Sequence, residues 1–443
     1  MLVRRACLDA AASMRLLERG ANFVKTLLLI TCLLWEQGSA AAQDRETAQR
    51  VRELVRQLNA TQRAQRQSAE RALVKLGPEI LRHLPEADRR LPAEAQVRLK
   101  RIVKELERLV TVRSSVASLV TLQGRLPLSE VWANLEEQTG NRMFDSIGQD
   151  IEVEVDCQRL PYWQVVDRVL DEAGLGLDPY AGNRRALTIQ RRAPDGPRRF
   201  GMAAYAGLFR LEATRLQAVR ELRNPGSDHL QIVLEVAWEP RVTPLSLSLP
   251  LTEIEARSES GERLHLPLKG VRFARPIQDM SSVELDLPMP LPSRAERQIA
   301  SLQGKLVALV PGRFTTFEFS DLQASRGKSQ TRAGIRVTYD DFLKSNDSGV
   351  VEVRIHLRFE QPNRALDSHR GWVHRNEIEL LDAQGNKADL VSSEEYLQGR
   401  SEAGIGYFFA LKGEPSSYRL VYRAPALMIP VRLPFELKNL PLP

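Results

Sequence analysis

The side chains best able to hold a metal or move a proton are six histidines, His83, His229, His265, His356, His369 and His374. Only His369 and His374 lie close together, flanking Arg370-Gly371-Trp372 a little beyond Asp367. Their separation of five residues matches neither helical nor strand periodicity, so the two rings do not share a face and the segment reads as a plain loop. The carboxylate pairs Asp340-Asp341 and Glu394-Glu395 are adjacent in sequence. Neighbours on a strand point to opposite faces, which makes them poor acid–base partners, and they read as solvated turn charges. No HExxH, Gly-x-Ser-x-Gly elbow, phosphate loop or GxGxxG after a strand occurs. Asn346-Asp347-Ser348-Gly349 lacks the alternating ligands of a calcium loop and reads as a hairpin turn. No catalytic, cofactor-binding or metal-ligating residue is expected, and no cofactor.

Two residue types remain that recognise rather than react. Residues 43–108 carry 16 Lys+Arg against 10 Asp+Glu, a net of +6, whereas the whole chain is +7. The basic excess therefore sits in this first segment, where Arg52, Arg56, Arg63 and Arg66 are candidate contacts for an anionic surface or polysaccharide. Arg184, Arg185, Arg191 and Arg192, in a later arginine-rich linker, join them. Residues 43–110 hold no Phe, Trp or Tyr to stack on bases, so nucleic acid is not expected. For a sugar, the aromatics to weigh are Trp238, Tyr339, Trp372, Tyr407 and Tyr422, with Trp372 and Tyr407 the candidate ligand aromatics.

Stepping along the chain from its start, Arg15, Arg19 and Lys25 precede an apolar run over 26–35, and Ala40-Ala41-Ala42 supplies small residues for cleavage. Ten apolar residues are about half a membrane span, so residues 1–42 read as a signal peptide, with Met14 an alternative start. The expectation is a periplasmic or extracellular protein cleaved near Ala42, or a membrane-anchored one if cleavage fails. Cys7 and Cys32 leave with the signal, and Cys157 alone can form no intramolecular disulfide.

Apolar residues at spacings of three and four predict helices over 43–112: Val51, Leu54, Val55 and Leu58, then Ala69, Ala72, Leu73 and Leu76, then Ala95, Leu99, Ile102, Val103 and Leu106. Gly77-Pro78 separates the second helix from a short turn of helix. The pattern resembles one helical-repeat unit of the HEAT kind. Over 116–192 the rhythm becomes strand, helix, two strands, helix, two strands, with Pro127 and Pro161 opening the helices and Gly140 and Gly174 closing them.

The phrases VTLQGRLPLSEVWANLEEQTGNRMF, IEVEVDCQRLPYWQVVDRVLDEAGLGLDPY and ALTIQRR within residues 118–192 resemble the secretin and TonB short N-terminal domain. The resemblance implies a small α/β fold and a periplasmic interaction module, although no outer-membrane barrel follows it here. The rest of the chain resembles uncharacterised bacterial envelope proteins.

Beyond the linker the chain is strand-like. Leu230, Ile232, Leu234 and Val236 alternate with Gln231, Val233 and Glu235. An internal repeat is visible: LQIVLEVAWEPR answers VEVRIHLRFEQPNR, and Phe317-Glu318-Phe319 answers Phe435-Glu436-Leu437 at an offset of 118. Two tandem β-sandwiches, 200–325 and 330–443, are expected. The fold class is therefore multidomain α+β: a helical segment, a βαββαββ module and two antiparallel sandwiches. The expected function is a non-catalytic envelope protein that engages a protein partner, with carbohydrate or cell-wall binding and a motif-less hydrolase as alternatives. The partner's identity and the oligomeric state are not legible.

Overall fold

A computed structural model describes residues 44–85, 91–179, 181, 186–193, 196, 198–264, 266, 272–276, 280–332, 334–344, 349–359, 373–374, 376–399, 401–411, 414, 417–425 and 427–443. The expected signal peptide over 1–42, and Arg184, Arg185 and Trp372, lie outside them. The chain divides into two compact units, Met1–Leu109 and Val110–Pro443. Among the described residues no helix is long and apolar enough to cross a membrane.

The first unit is helical: α1 over 44–57, α2 Arg63–Leu76, a 3₁₀ turn Pro78–His83 and α3 Ala93–Ser114, whose last turn enters the second unit. The predicted stripes meet in one core of Val51, Leu58, Ala69, Leu73, Ile80, Leu99, Ile102 and Leu106. Gly77, at φ 89°, ends α2 in a conformation a side chain would resist, and Pro78 starts the next turn where no amide hydrogen is needed.

The second unit begins with the βαββαββ module: β1 Leu119–Pro127, α4 Leu128–Thr139, β2 Arg142–Asp145, β3 Glu152–Pro161, α5 Tyr162–Ala173, β4 Leu175–Asp178 and β5 Ala186–Arg191. β1 pairs antiparallel with β3, while β5 lies between β2 (parallel) and β4 (antiparallel). The helices follow Pro127 and Pro161 and stop at left-handed Gly140 and Gly174, as read from the sequence. Their apolar stripes, including Leu128, Val131, Leu135, Val165, Val166 and Val169, fill the module's core.

Fourteen-residue β14 organises the first sandwich. Its strands are β6 Ala203–Ala206, β7 Phe209–Val219, β8 His229–Trp238, β9 Ser246–Pro250, β10 Glu255–Ser258, β11 Arg263–Leu264, β12 Arg272–Pro276, β13 Ser282–Pro290 and β14 Gln298–Pro311. One sheet has the order β13-β8-β7-β6, and the other runs β11-β10-β14-β9-β12. The second sandwich holds β15 Phe314–Phe319, β16 Ser329–Arg332, β17 Ile335–Lys344, β18 Val350–Phe359, β19 Glu377–Leu381, β20 Asp389–Gln398, β21 Glu402–Ala410 and β22 Arg419–Pro425. Its sheets are β16-β17-β18-β21-β20 and β15-β22-β19. Each pair of sheets encloses its own apolar core.

The two repeats are not closed within their expected boundaries. β15, which follows β14, pairs with β22 in the second sandwich; the final strand, β23 Met428–Pro441, returns to pair with β14 along its whole length, from Gln298↔Pro441 to Pro311↔Met428. The strands carrying Phe317 and Phe435 thus occupy equivalent edges but in each other's sandwich. Gly304 makes room for the crossing: Phe435 is its register partner, and a Cβ there would lie 2.9 Å from the phenyl ring.

Candidate functional site: the free edge and outer face of the second sandwich

A sheet edge offers unpaired amides and carbonyls to another strand, so sandwiches usually blunt their edges. In the first sandwich the outer strands β13 and β23 carry prolines, Pro288 and Pro290 in one and Pro430 and Pro434 in the other. Other edges are short: β15, β16 and β19 have 6, 4 and 5 residues. β20 differs, being a ten-residue outer strand with no proline. Its side chains stand exposed on both faces, with Leu390 49% and Val391 60% exposed.

β20 is paired on one side with β21, and register shifts fall between Leu390/Ser392 and Glu395/Leu397. The regular stretch 392–395 lies between these two bulges. The second bulge re-aims Tyr396, as extra residues in a ladder commonly do. Tyr396 lies against Gly404 of β21, where a Cβ would meet the ring at 2.6 Å. Its hydroxyl donates to Asp340 Oδ2 (2.5 Å), and the Arg354 guanidinium lies 5.2 Å from the ring centroid. Arg354 is itself held by Glu352 at 2.6 and 3.1 Å. Burial, reinforced by the bond to Asp340, pushes the Tyr396 phenol well above its ordinary value, so it stays a neutral donor.

The neighbouring polar groups are matched in pairs. His356 Nε2 lies 3.3 Å from Glu402 Oε2, Arg326 donates to Asp341 at 2.8 Å, and His374 lies 3.5 Å from Glu395. Asp340 and Asp341 were expected as solvated turn charges; they belong to β17, where a bulge between Tyr339 and Asp341 lets each reach a donor. The face presents these hydrogen-bonding groups beside the Tyr396 ring. Among the described residues, no group of three or more His, Cys, Asp or Glu side chains is placed to hold a metal. Cys157 is buried, and burial raises its thiol above the ordinary value.

Two further polar clusters join the α/β module to the first sandwich. Glu239, wholly buried at the end of β8, accepts from Ser118 N (2.8 Å), Ser118 Oγ (2.6 Å), Asn141 Nδ2 (3.0 Å) and Arg241 Nε (2.6 Å). Arg241 also donates to the Ser114 and Val116 carbonyls at 2.9 and 2.7 Å. In the second cluster Arg210, 1% exposed, donates Nε to Asp167 at 2.8 Å and Nη1 to Glu212 at 2.6 Å, while Tyr205 donates to Asp167 at 2.6 Å. Burial raises the Asp167 carboxyl, and Arg210 opposes it. Glu235 sits beside Glu212 on one strand and Glu284 on the other. Burial, then these like charges, hold its carboxyl above the ordinary value against the pull of Arg210 and Arg199.

These clusters bear on the second face of β8. The alternation in the sequence puts Val233 and Glu235 on that face without saying what covers it, and both are buried. The module covers that face: Ala237 belongs to the module's core, and Trp163 Nε1 donates to the Leu208 carbonyl at 3.0 Å.

The sequence-derived candidates are scattered. Arg52, Arg56 and Arg63 are exposed on the first unit. Arg66 is turned inward and donates to the Ala60 and Thr61 carbonyls at 2.8 Å, bracing the turn before α2. Arg191 donates to Gln149 at 2.7 Å, and Arg192 is committed to Asp171, whose carboxylate also accepts the Arg199 and Phe200 amides. Tyr407 is fully buried with its ring 6.4 Å from Tyr422, so it cannot present a sugar-stacking face. Tyr396 was missed; the available clue was the alternation of Gly404 and Gly406 in an otherwise bulky strand, which opens a lane for a neighbour's ring. Compared with family models, curated proteins and solved structures, the chain finds no match.

Proposed function

We propose that the chain is an exported, non-catalytic interaction or scaffold protein of the cell envelope, and that a protein partner adds a strand to the free edge of β20. The observation that carries the reading is that edge: ten residues without proline, paired on its outer side with no strand among the described residues, and bearing exposed Leu390 and Val391. Main-chain hydrogen bonds supply affinity in this recognition mode, and side-chain pockets supply selectivity. Tyr396 packs over Gly404 on the adjoining face. The signal-like start of the sequence and the likeness of residues 118–192 to the secretin and TonB short N-terminal domain supply the compartment.

The test is affinity capture from envelope extract with the wild-type chain and with L390K/V391K, which places charge on the exposed edge without touching the core. The reading expects a protein retained by the wild type and lost with the variant. Equal recovery with both chains would refute the assignment of β20.

A further inference from the structure

The first unit holds more cations than it uses. Among the described residues, Asp44 at the start of α1 and the carboxylates beyond that helix are engaged: Asp44 Oδ1 lies 3.0 Å from His83 and also meets Arg82, and Glu70 accepts from Arg98 (2.7 Å) and Arg101 (3.0 Å). Glu94 accepts from Arg98 and Glu105 from Arg108, while Glu79 and Glu107 also have partners. Among the described residues, no ion pair engages Arg45, Arg52, Arg56 or Arg63.

The surplus is ordered along the helices. On α1 the buried face is Val51 and Val55, and the exposed positions Arg45, Gln49, Arg52 and Arg56 recur at spacings of four, three and four. That spacing keeps them on one face, about 16 Å long at 1.5 Å per residue, with no carboxylate in the stripe. Glu46 and Glu53 fall on the neighbouring line with Arg50 and Gln57. α2 repeats the device with exposed Arg63, Gln67, Arg71 and Lys75, each four residues from the last.

We infer that this stripe docks electrostatically on an anionic lipid surface. Insertion is disfavoured, because the helix's apolar side is already spent on its own core. Nucleic acid is the weaker occupant, because residues 43–110 contain no aromatic ring. A bilayer is the favoured one, because the stripe's charge complements anionic headgroups and the reading of the chain as exported, on which this choice rests, places it beside a membrane. Each cation near such a surface strengthens binding about five-fold, and the contact weakens as salt screens it.

The test uses the full chain sedimented with vesicles of phosphatidylcholine alone or mixed with phosphatidylglycerol. The wild type is expected to prefer the phosphatidylglycerol vesicles at low salt. R52E/R56E is expected to lose at least about 25-fold of that binding. R215E/R358E makes the same charge change at exposed positions of the second unit and is expected to bind as the wild type does. Far-UV circular dichroism checks that both variants stay folded. Equal loss in both variants would reduce the effect to net charge, equal binding to both vesicles would assign it to the apolar run, and preferential competition by duplex DNA would assign it to nucleic acid; each of these overturns the inference.

Discussion

Phe317 and Phe435 are equivalent in the sequence repeat but lie in each other's sandwich, so truncating either one should loosen the sandwich remote from its own repeat. Phe435 is 6% exposed, packs with the first core and faces Gly304; Phe317 is fully buried in the second core and pairs with Tyr422. Phe→Ala in a core costs about 3–5 kcal/mol. The lower value, about 3 kcal/mol, suits Phe435, whose neighbour is a glycine with no side chain to lose contact with. At about 1.4 kcal/mol per tenfold, this is roughly 150-fold in the opening equilibrium. Hydrogen exchange read by mass spectrometry separates the two sandwiches, because amides report the opening of their own cooperative unit. In F435A, peptides covering β8 and β14 should exchange faster by that factor, with β18 and β21 unchanged. In F317A the pattern should reverse. Faster exchange confined to residues 335–410 in F435A would mean that β23 closes its own repeat, and the crossing of strands would be refuted.

The buried clusters lead to two more expectations. Replacing Asp167 by Ala takes one of two carboxylates from buried Arg210 and the acceptor from Tyr205, and should cost about 3 kcal/mol, the lower end for a broken buried pair because Glu212 still holds Arg210, read as a fall in Tm; a D167A chain as stable as the wild type would show that the pair is not buried in solution. Glu235 has a folded-state pKa above its unfolded value, so its contribution is fully present below the unfolded value near 4.3 and is lost as pH rises through the folded one. E235Q should therefore match the wild type in acid and exceed its Tm near neutrality; a variant less stable than the wild type at neutral pH would contradict the assignment.

Local patterning carried most of the fold. Helical stripes such as Val51, Val55 and Leu58, the Pro-initiated and Gly-terminated helices α4 and α5, and the alternation in β18 all come from near-neighbour constraints, and each stands in the structure. The exchange of β15 and β23 was not legible, because the two strands carry the same apolar pattern and pairing with β14 or β22 is a choice between distant partners. The burial of Glu235 and Val233 was not legible for a related reason: strand alternation identifies two faces but not what covers the second one. Among the sites, arginines read as equivalent from charge alone separate by neighbours, Arg52 and Arg56 remaining exposed while Arg66 and Arg192 are drawn into local bonds. Tyr407 and Tyr396 exchange roles because strand phase buries the first and a bulge turns out the second.

Recognition at β20 is tested most directly by a photo-crosslinking amino acid placed at Ser393, in the regular stretch between the two bulges, with Thr331 on the opposite edge strand β16 as the control. After irradiation in the producing cell, position 393 should give one discrete adduct that disappears when L390K/V391K is added, and position 331 should give none. No adduct at 393, or the same adduct at both positions, would contradict partner addition at this edge.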